Sequence, residues 1–284
     1  MGKAFSVSLV TAAGLIVVWE LGSIFLGNSQ DSPPAVDETS PEPSSLVLPD
    51  WSGVWKEDNN TVFDHASIQP PGASVGTPGA REYPPYTDEW ELIYQRNLAL
   101  VTEGRFPDPI TPCGIPAGFP RIFNLPDVHE FVVRPEQTWI LSENGPNVMR
   151  IYTDGRPLMS EDERWPLYTG DSVGQWDGDT LRFKTESLKK EGTILDRTGL
   201  VLSDQMTAET SMQKQDDGSI LVTMVIEDPI ALKESWTVQS RYTRLESGSR
   251  VFDYACGENN RNPVMSDGYT VTLGPDGKPL EDVE

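Results

Sequence analysis

The sequence predicts a mostly β domain: an antiparallel barrel or barrel-like meander with one packing helix near its start, behind an apolar N-terminal segment. Three observations carry this. From His129 onward, short runs rich in β-branched and aromatic residues follow one another with partial apolar/polar alternation. The turn dipeptides Asp177-Gly178 and Asp217-Gly218 stand between neighbouring runs. No stretch of helical period separates these runs, which argues against βαβ units and for strands joined directly to their neighbours.

The elements follow in chain order. Ala4 to Gly27 is an almost uninterrupted apolar run with one charge, Glu20, and it follows Lys3. About twenty apolar residues suffice to cross a bilayer, so residues 1–27 read as a signal-anchor or transmembrane segment. A cleaved signal peptide is the alternative, although no small-x-small cleavage site stands clearly after the run. Residues 28–49, rich in Pro, Ser, Asp and Glu, read as a flexible linker. Lys3 biases the orientation so that the domain faces the periplasm or the exterior, and the domain is secreted if the leader is cleaved.

Residues 50–262 form the expected domain and 263–284 a C-terminal tail. Trp51 to Lys56 reads as the opening strand. Asp88 to Glu103 has helical character, with Trp90, Ile93, Tyr94 and Leu98 near one face and Thr87 or Asp88 available as the cap. Pro107, Pro109, Pro112, Pro116 and Pro120 then impose an irregular crossing. The strands expected beyond it are His129 to Arg134, Thr138 to Ser142, Val148 to Thr153, Ser172 to Trp176, Thr180 to Thr185, Thr207 to Lys214, Ile220 to Glu227 and Ser235 to Arg244. Both Asp-Gly pairs predict tight hairpins of the I′ type. A sandwich would also accommodate these strands. A closed barrel is preferred because closure removes the sheet edges and leaves one interior cavity where a function would sit.

The charge balance excludes one class of partner. Twenty-two Lys and Arg stand against 44 Asp and Glu, a formal net charge of −22, which repels nucleic acid. The two cysteines, Cys113 and Cys256, lie in no metal-ligand spacing. In an oxidising compartment they are expected to form a disulfide, the alternative being two separate buried thiols.

Motifs for chemistry are few. Gly170-Asp171-Ser172-Val173-Gly174 matches G-x-S-x-G, but it runs into a hairpin instead of opening a helix, and both histidines, His65 and His129, precede Ser172. A nucleophile elbow is therefore rejected. The same two histidines lack partners at ligand spacing, so no metal site is expected. Phosphate-binding loops and dinucleotide fingerprints are absent, and no cofactor is expected. Ionisable residues within the β region remain. Asp171 and Asp204 are the candidate acid and base, and Glu143, Arg150, Asp196 and Glu258 are candidate ligand contacts beside Trp176 and Trp236. Trp139 and Trp165 are further aromatic candidates for a pocket wall. For each of these residues a salt bridge, a turn hydrogen bond or plain core packing is the alternative role.

Several stretches resemble an uncharacterised family of bacterial exported β-rich proteins. They include Asp50-Trp51-Ser52-Gly53-Val54-Trp55, Glu103-Gly104-Arg105, Cys113 followed by Pro120-Arg121, and Arg150 to Arg156. Ser172 to Leu181, Leu195-Asp196, Ser203-Asp204, Asp228-Pro229, Trp236-Thr237-Val238 and Tyr254 to Asn260 continue the likeness. The resemblance implies an exported, lipocalin-like barrel and supports pairing Cys113 with Cys256. Where the family pattern carries histidines, this chain has Asp171, Leu202 and Thr207. That departure weighs towards binding of a small, largely apolar ligand or a partner protein. The alternative is a cofactor-independent lyase, isomerase or hydrolase using the barrel carboxylates.

Overall fold

A computed structural model describes residues 47–58, 68–69, 81–82, 84–144, 147–190, 193–258 and 260–280. The chain divides into two compact units, Met1–Ser44 and Ser45–Glu284, and the described residues all belong to the second. The apolar run at 4–27 and His65 lie outside the described residues. Among those described, no helix is long and apolar enough to cross a membrane.

The barrel strands are β1 (Val54–Glu57), β4 (Val128–Val133), β5 (Gln137–Ser142), β6 (Asn147–Tyr152), β7 (Asp171–Asp177), β8 (Thr180–Glu186), β9 (Thr207–Lys214), β10 (Ile220–Glu227) and β11 (Trp236–Arg244). Between β1 and β4 come the short pair β2 (Ile68–Gln69) and β3 (Arg81–Glu82) and the helix α1 (Asp88–Thr102). Going round the wall, the order is β1-β11-β10-β9-β8-β7-β6-β5-β4, and β4 closes back onto β1. Strands that alternate up and down around a ring of nine cannot all be antiparallel, so parity requires a parallel seam. That seam is β6 with β7, held at the single register pair Tyr152↔Val173, and every other neighbouring pair is antiparallel.

Alternation sets which side chains point inward. Phe131, Ile140, Met149, Ile151, Leu181, Phe183, Met212, Val222, Met224, Ile226, Val238 and Tyr242 are all at most 4% exposed and fall on the inward positions of their strands. Trp51 and Trp55 join them. The Trp51 ring lies 5.2 Å from Trp176 and 6.1 Å from Phe131, and the Trp55 indole N–H donates to the Trp51 carbonyl at 2.9 Å. The expected interior cavity is thus occupied by side chains, and the lumen is a packed core.

Both expected hairpins form, with different turns. In β7–β8 the two loop residues are Gly178 and Asp179, and positive φ occurs at Gly178 alone (+63°), the pattern of a II′ turn instead of I′. In β9–β10 the Gln215 N–H donates to Ser219 and the Gly218 N–H to Gln215, so Asp216–Gly218 form a three-residue loop with Gly218 at φ +84°. The Asp-Gly signal located the hairpins, while the register came from the inward pattern of the strands.

Helix α1 begins at the Thr87 cap, whose hydroxyl accepts from the Trp90 N–H, and carries Asp88, Glu89 and Glu91 in its first turn, where the helix dipole favours acids. It packs through Trp90, Tyr94 and Leu98, but Ile93 is 36% exposed and does not share that face. The expected C-terminal tail is tied in as far as Leu280. Thr270 exchanges backbone hydrogen bonds with Phe106, Val271 is buried, Arg105 pairs with Asp267 at 2.8 Å, and the Leu280 N–H donates to Thr272.

Candidate functional site

The structure gathers ionisable residues at one end of the barrel. A 3-10 turn, Arg121–Phe123, closes that end, because two inward side chains hold its carbonyls. The His129 Nε2 lies 2.8 Å from the Ile122 oxygen, and the Tyr242 hydroxyl donates to Phe123 at 2.8 Å. Burial drives the His129 pKa down to about 4, so the ring is neutral and its Nε2–H is the donor. Burial likewise raises the Tyr242 hydroxyl well above its ordinary value, with the charge of Glu57 adding to the effect. Both groups serve as fixed hydrogen-bond donors to the plug.

Beyond the plug lies a cleft of about 320 Å³ lined by Arg121, Asn124, Leu125, Pro126, Asn144, Leu195, Asp196, Arg197, Tyr254, Cys256 and Asn262, with Ile110 and Thr111 on one side. The loop carrying Asp196 and Arg197 has little regular structure of its own and is gripped by α1 and the residues before it. Tyr86 and Trp90 both donate to the Val201 carbonyl, at 2.7 and 3.0 Å, and Asn97 donates to Gly199 at 2.8 Å. Tyr94 and Thr198 hydroxyls meet at 3.4 Å. Residues 90, 94 and 97 are a turn apart, so one stripe of the helix holds the whole loop. Gly199 is required there, because a Cβ would stand 2.6 Å from Pro107 and 2.8 Å from the Asn97 amide, in a backbone at φ +81°.

Along the cleft and behind its wall the charges are unevenly satisfied. Asp108, whose side chain is fully buried, accepts both arms of Arg121 at 2.9 and 3.1 Å, the Thr111 hydroxyl at 2.5 Å and the Ile110 N–H at 2.9 Å. Burial alone would raise its pKa, but the Arg121 charge and these hydrogen bonds outweigh burial and hold it below the usual carboxylate value. Asp196 has the opposite balance. Its enclosure pushes the pKa up, and bonds from the Leu200 N–H and the Thr198 hydroxyl, with the more distant charge of Arg121, offset this only in part. Arg197 has its guanidinium carbon 3.9 Å from the Phe106 ring centre and one Nη donating to Thr272 Oγ1. Its buried Nε has no hydrogen-bond partner, and among the described residues no carboxylate lies within ion-pair distance of it. Burial lowers its pKa from the ordinary arginine value, the charge of Asp108 opposes this, and the neighbouring Arg121 adds to the lowering.

The cleft wall is completed by the Cys113–Cys256 disulfide, which the structure forms as expected. Asn260 donates to Cys113 Sγ at 2.8 Å and to the Thr111 carbonyl at 3.3 Å, tying the two chain segments together beside the bridge.

The other candidates lie elsewhere. Asp171 is buried at the start of β7, accepts the Met159 N–H at 2.7 Å, and lines a separate cleft of about 330 Å³ with Arg150, Tyr152 and Arg156 at the parallel seam. Asp204 is exposed and accepts from Gln205; no cleft described here is lined by both Asp171 and Asp204. Glu143 is half-buried and accepts the Phe252 N–H at 2.9 Å, and Glu258 is exposed. Trp176 and Trp236 face the packed lumen, Trp139 is half-buried on the outer face, and Trp165 is 70% exposed. Of the acid and ligand candidates, Asp196 alone lies in the end cleft. Ser172 of the G-x-S-x-G string is buried with its hydroxyl 2.8 Å from that of Thr185, and Gly174 is demanded by packing, since a Cβ would stand 2.2 Å from the Arg182 carbonyl and 2.6 Å from the Phe183 Cβ.

Arg121, Arg197 and Asp108 were not among the sequence candidates. They stand in irregular segments where no period marks a face, and of the three only Arg121, in the Pro120-Arg121 pair, falls within the stretches that carry the resemblance. Among the described residues no group of three or more His, Cys, Asp or Glu is placed to hold a metal ion. No protein-family model matches the chain, and a search of curated proteins finds no relative.

Proposed function

We propose that this domain is a small-molecule-binding barrel whose site is the end cleft beside Asp196, outside a lumen filled by side chains, and not the interior in which a lipocalin holds its ligand. The observation that carries this is the support given to the cleft. A helix stripe, a barrel plug held by two internal donors, and a disulfide all fix residues that are otherwise in loops. The lining mixes apolar surface from Ile110, Leu125 and Leu195 with charged groups, the composition of a site for a small organic ligand. Export and tethering through the apolar run at 4–27 belong to the same proposal, and the disulfide suits an oxidising compartment. The test is native mass spectrometry of the full chain purified without reductant, beside Pro126→Trp, which places an indole in the cleft at an exposed position. A co-purified molecule lost in the variant supports the reading; a molecule retained equally in the variant places its site elsewhere.

A second reading rests on Asp196. A carboxyl whose burial raises its pKa, lining a cleft beside two arginines, has the character of a general acid or base in a cofactor-independent lyase, isomerase or hydrolase. It requires that Asp196→Asn retain ligand while losing turnover. Turnover unchanged in Asp196→Asn sinks it.

A further inference from the structure

We infer that the ligand of the end cleft carries a carboxylate, and that Arg197 is the group that receives it. The inference rests on the ligand-binding reading above and specifies the ligand's chemical class.

The argument is a charge account. Asp108 is fully engaged: both guanidinium arms of Arg121, a hydroxyl and a backbone N–H point at its oxygens. Arg121 is therefore compensated, and its planar fork is already committed to a carboxylate. Asp196 takes its hydrogen bonds from Thr198 and Leu200, not from Arg197, although the two are adjacent in sequence. Arg197 is left as a cation in a cleft, with one of its N–H groups bound to Thr272, a buried Nε–H that has no acceptor, and Phe106 under its plane. Other described arginines, Arg134 and Arg150 among them, also lack a carboxylate within ion-pair distance, but those two are exposed, whereas Arg197 is half-buried in the lining of this cleft. A guanidinium that rests on a ring and is bonded through one Nη to Thr272 is held in one orientation, so an arriving carboxylate meets Nη–H donors already fixed in place.

The rest of the lining agrees with a carboxylate on an apolar body. Leu125, Leu195 and Ile110 form apolar wall, and Tyr254 adds a ring at 40% exposure. A planar aromatic carboxylate is well within a cleft of about 320 Å³.

The experiment measures the calorimetric affinity of the full chain for 2-naphthoate and for its uncharged counterpart, 2-naphthamide. It compares wild type with Arg197→Met, Arg197→Lys and Pro126→Trp, at low and high salt. We expect the carboxylate to bind wild type at least about tenfold more tightly than the amide, the ratio being one charge-assisted contact. That advantage should shrink with salt, vanish in Arg197→Met and persist in part in Arg197→Lys, and both probes should be excluded by Pro126→Trp. Equal binding of the two probes by wild type, blocked by Pro126→Trp, overturns the carboxylate while leaving the cleft as a ligand site. A carboxylate advantage that survives in Arg197→Met removes Arg197 from the role. Failure of both probes to bind wild type counts against the cleft reading and the inference together. The wild-type comparison of the probe pair needs no variant, so it stands even if a substituted chain misfolds.

Discussion

Replacing Arg121 with Met should be among the most damaging single changes outside the lumen, because of what it leaves behind. The Met chain fills much of the space of the arginine stem, so packing is largely kept while the charge is removed. Asp108 then remains with a side chain that is fully buried, holding one hydroxyl and one backbone N–H but no cation. Stranding one partner of a buried ion pair costs about 4 kcal/mol. For a domain of this size each kcal/mol moves the midpoint by roughly 2–4 °C, so the melting temperature should fall by about 8–16 °C. Removing both charges, in Asp108→Leu with Arg121→Met, should recover most of that loss, since a buried pair and its apolar replacement are often close in stability.

The pH dependence gives a second reading of the same pair. The Asp108 pKa is depressed in the folded state, so its contribution is complete above the ordinary carboxylate value of 3.8 and is lost as pH falls through the lower folded value. Urea unfolding at pH 7 and at progressively lower pH should therefore show the gap between wild type and Arg121→Met closing in the acid range. A loss below about 1 kcal/mol at pH 7, or a double variant as unstable as Arg121→Met alone, would refute the stranded-charge argument and assign the effect to the arginine stem.

Other outcomes follow from the same reasoning. Cys113→Ser with Cys256→Ser opens a loop of 143 residues and should cost about 5 kcal/mol in the chain-entropy model, read as the change in urea midpoint; a shift near zero would show that the bridge constrains only its own wall of the cleft. His129, with a folded pKa of about 4 against an ordinary 6.5, contributes stability that is complete above 6.5 and lost as pH falls from there to 4, so His129→Gln should remove about 3 kcal/mol of the wild type's loss between pH 7 and pH 4. Gly174→Ala should destabilise by about 1–3 kcal/mol or more through its collision with Arg182 and Phe183, and more than Gly178→Ala, whose Cβ meets nothing within 4 Å; the reverse order in thermal melts would contradict the packing described for β7.

Much of the wall was legible from the sequence because strand burial alternates with period two. Thr207–Lys214 and Ile220–Glu227 appear as read, and the remaining barrel strands fall within a few residues of their expected spans. The parallel seam was not legible, since the segment from Thr153 to Gly170 carries no sign of which strand it will join or in which direction. The turn types differed because the dipeptide signal gives a preference for positive φ but not the register, which the inward side chains decide. The expectation of a lumenal site failed for a reason of volume: closing nine strands around Trp51, Trp55, Phe131 and the methionines fills the interior. Asp196 was among the candidates, but nothing in sequence spacing distinguished it from Asp204, because its special environment comes from residues far away in the chain.

That distance explains why the site is where it is. A packed barrel presents few irregular backbone groups, so its walls offer little that can be aimed at a ligand, whereas its ends are made of segments whose carbonyls and N–H groups must be satisfied somehow. Here the end segments are satisfied by donors from the lumen below, His129 and Tyr242, and from the helix at the side, Tyr86, Trp90 and Asn97. Those bonds spend the backbone's hydrogen-bonding capacity on support and leave side chains to face the cleft. The Arg121–Asp108 pair is part of the same support. Arg197 is held in place instead by Phe106 and Thr272, and among the described residues no carboxylate lies within ion-pair distance of it, although the charge of Asp108 still acts on it. A guanidinium that lines a cleft, rests on a ring and has no carboxylate within ion-pair distance among the described residues has the form of a binding group, and this makes the ligand's charge, not its apolar bulk, the first property to determine.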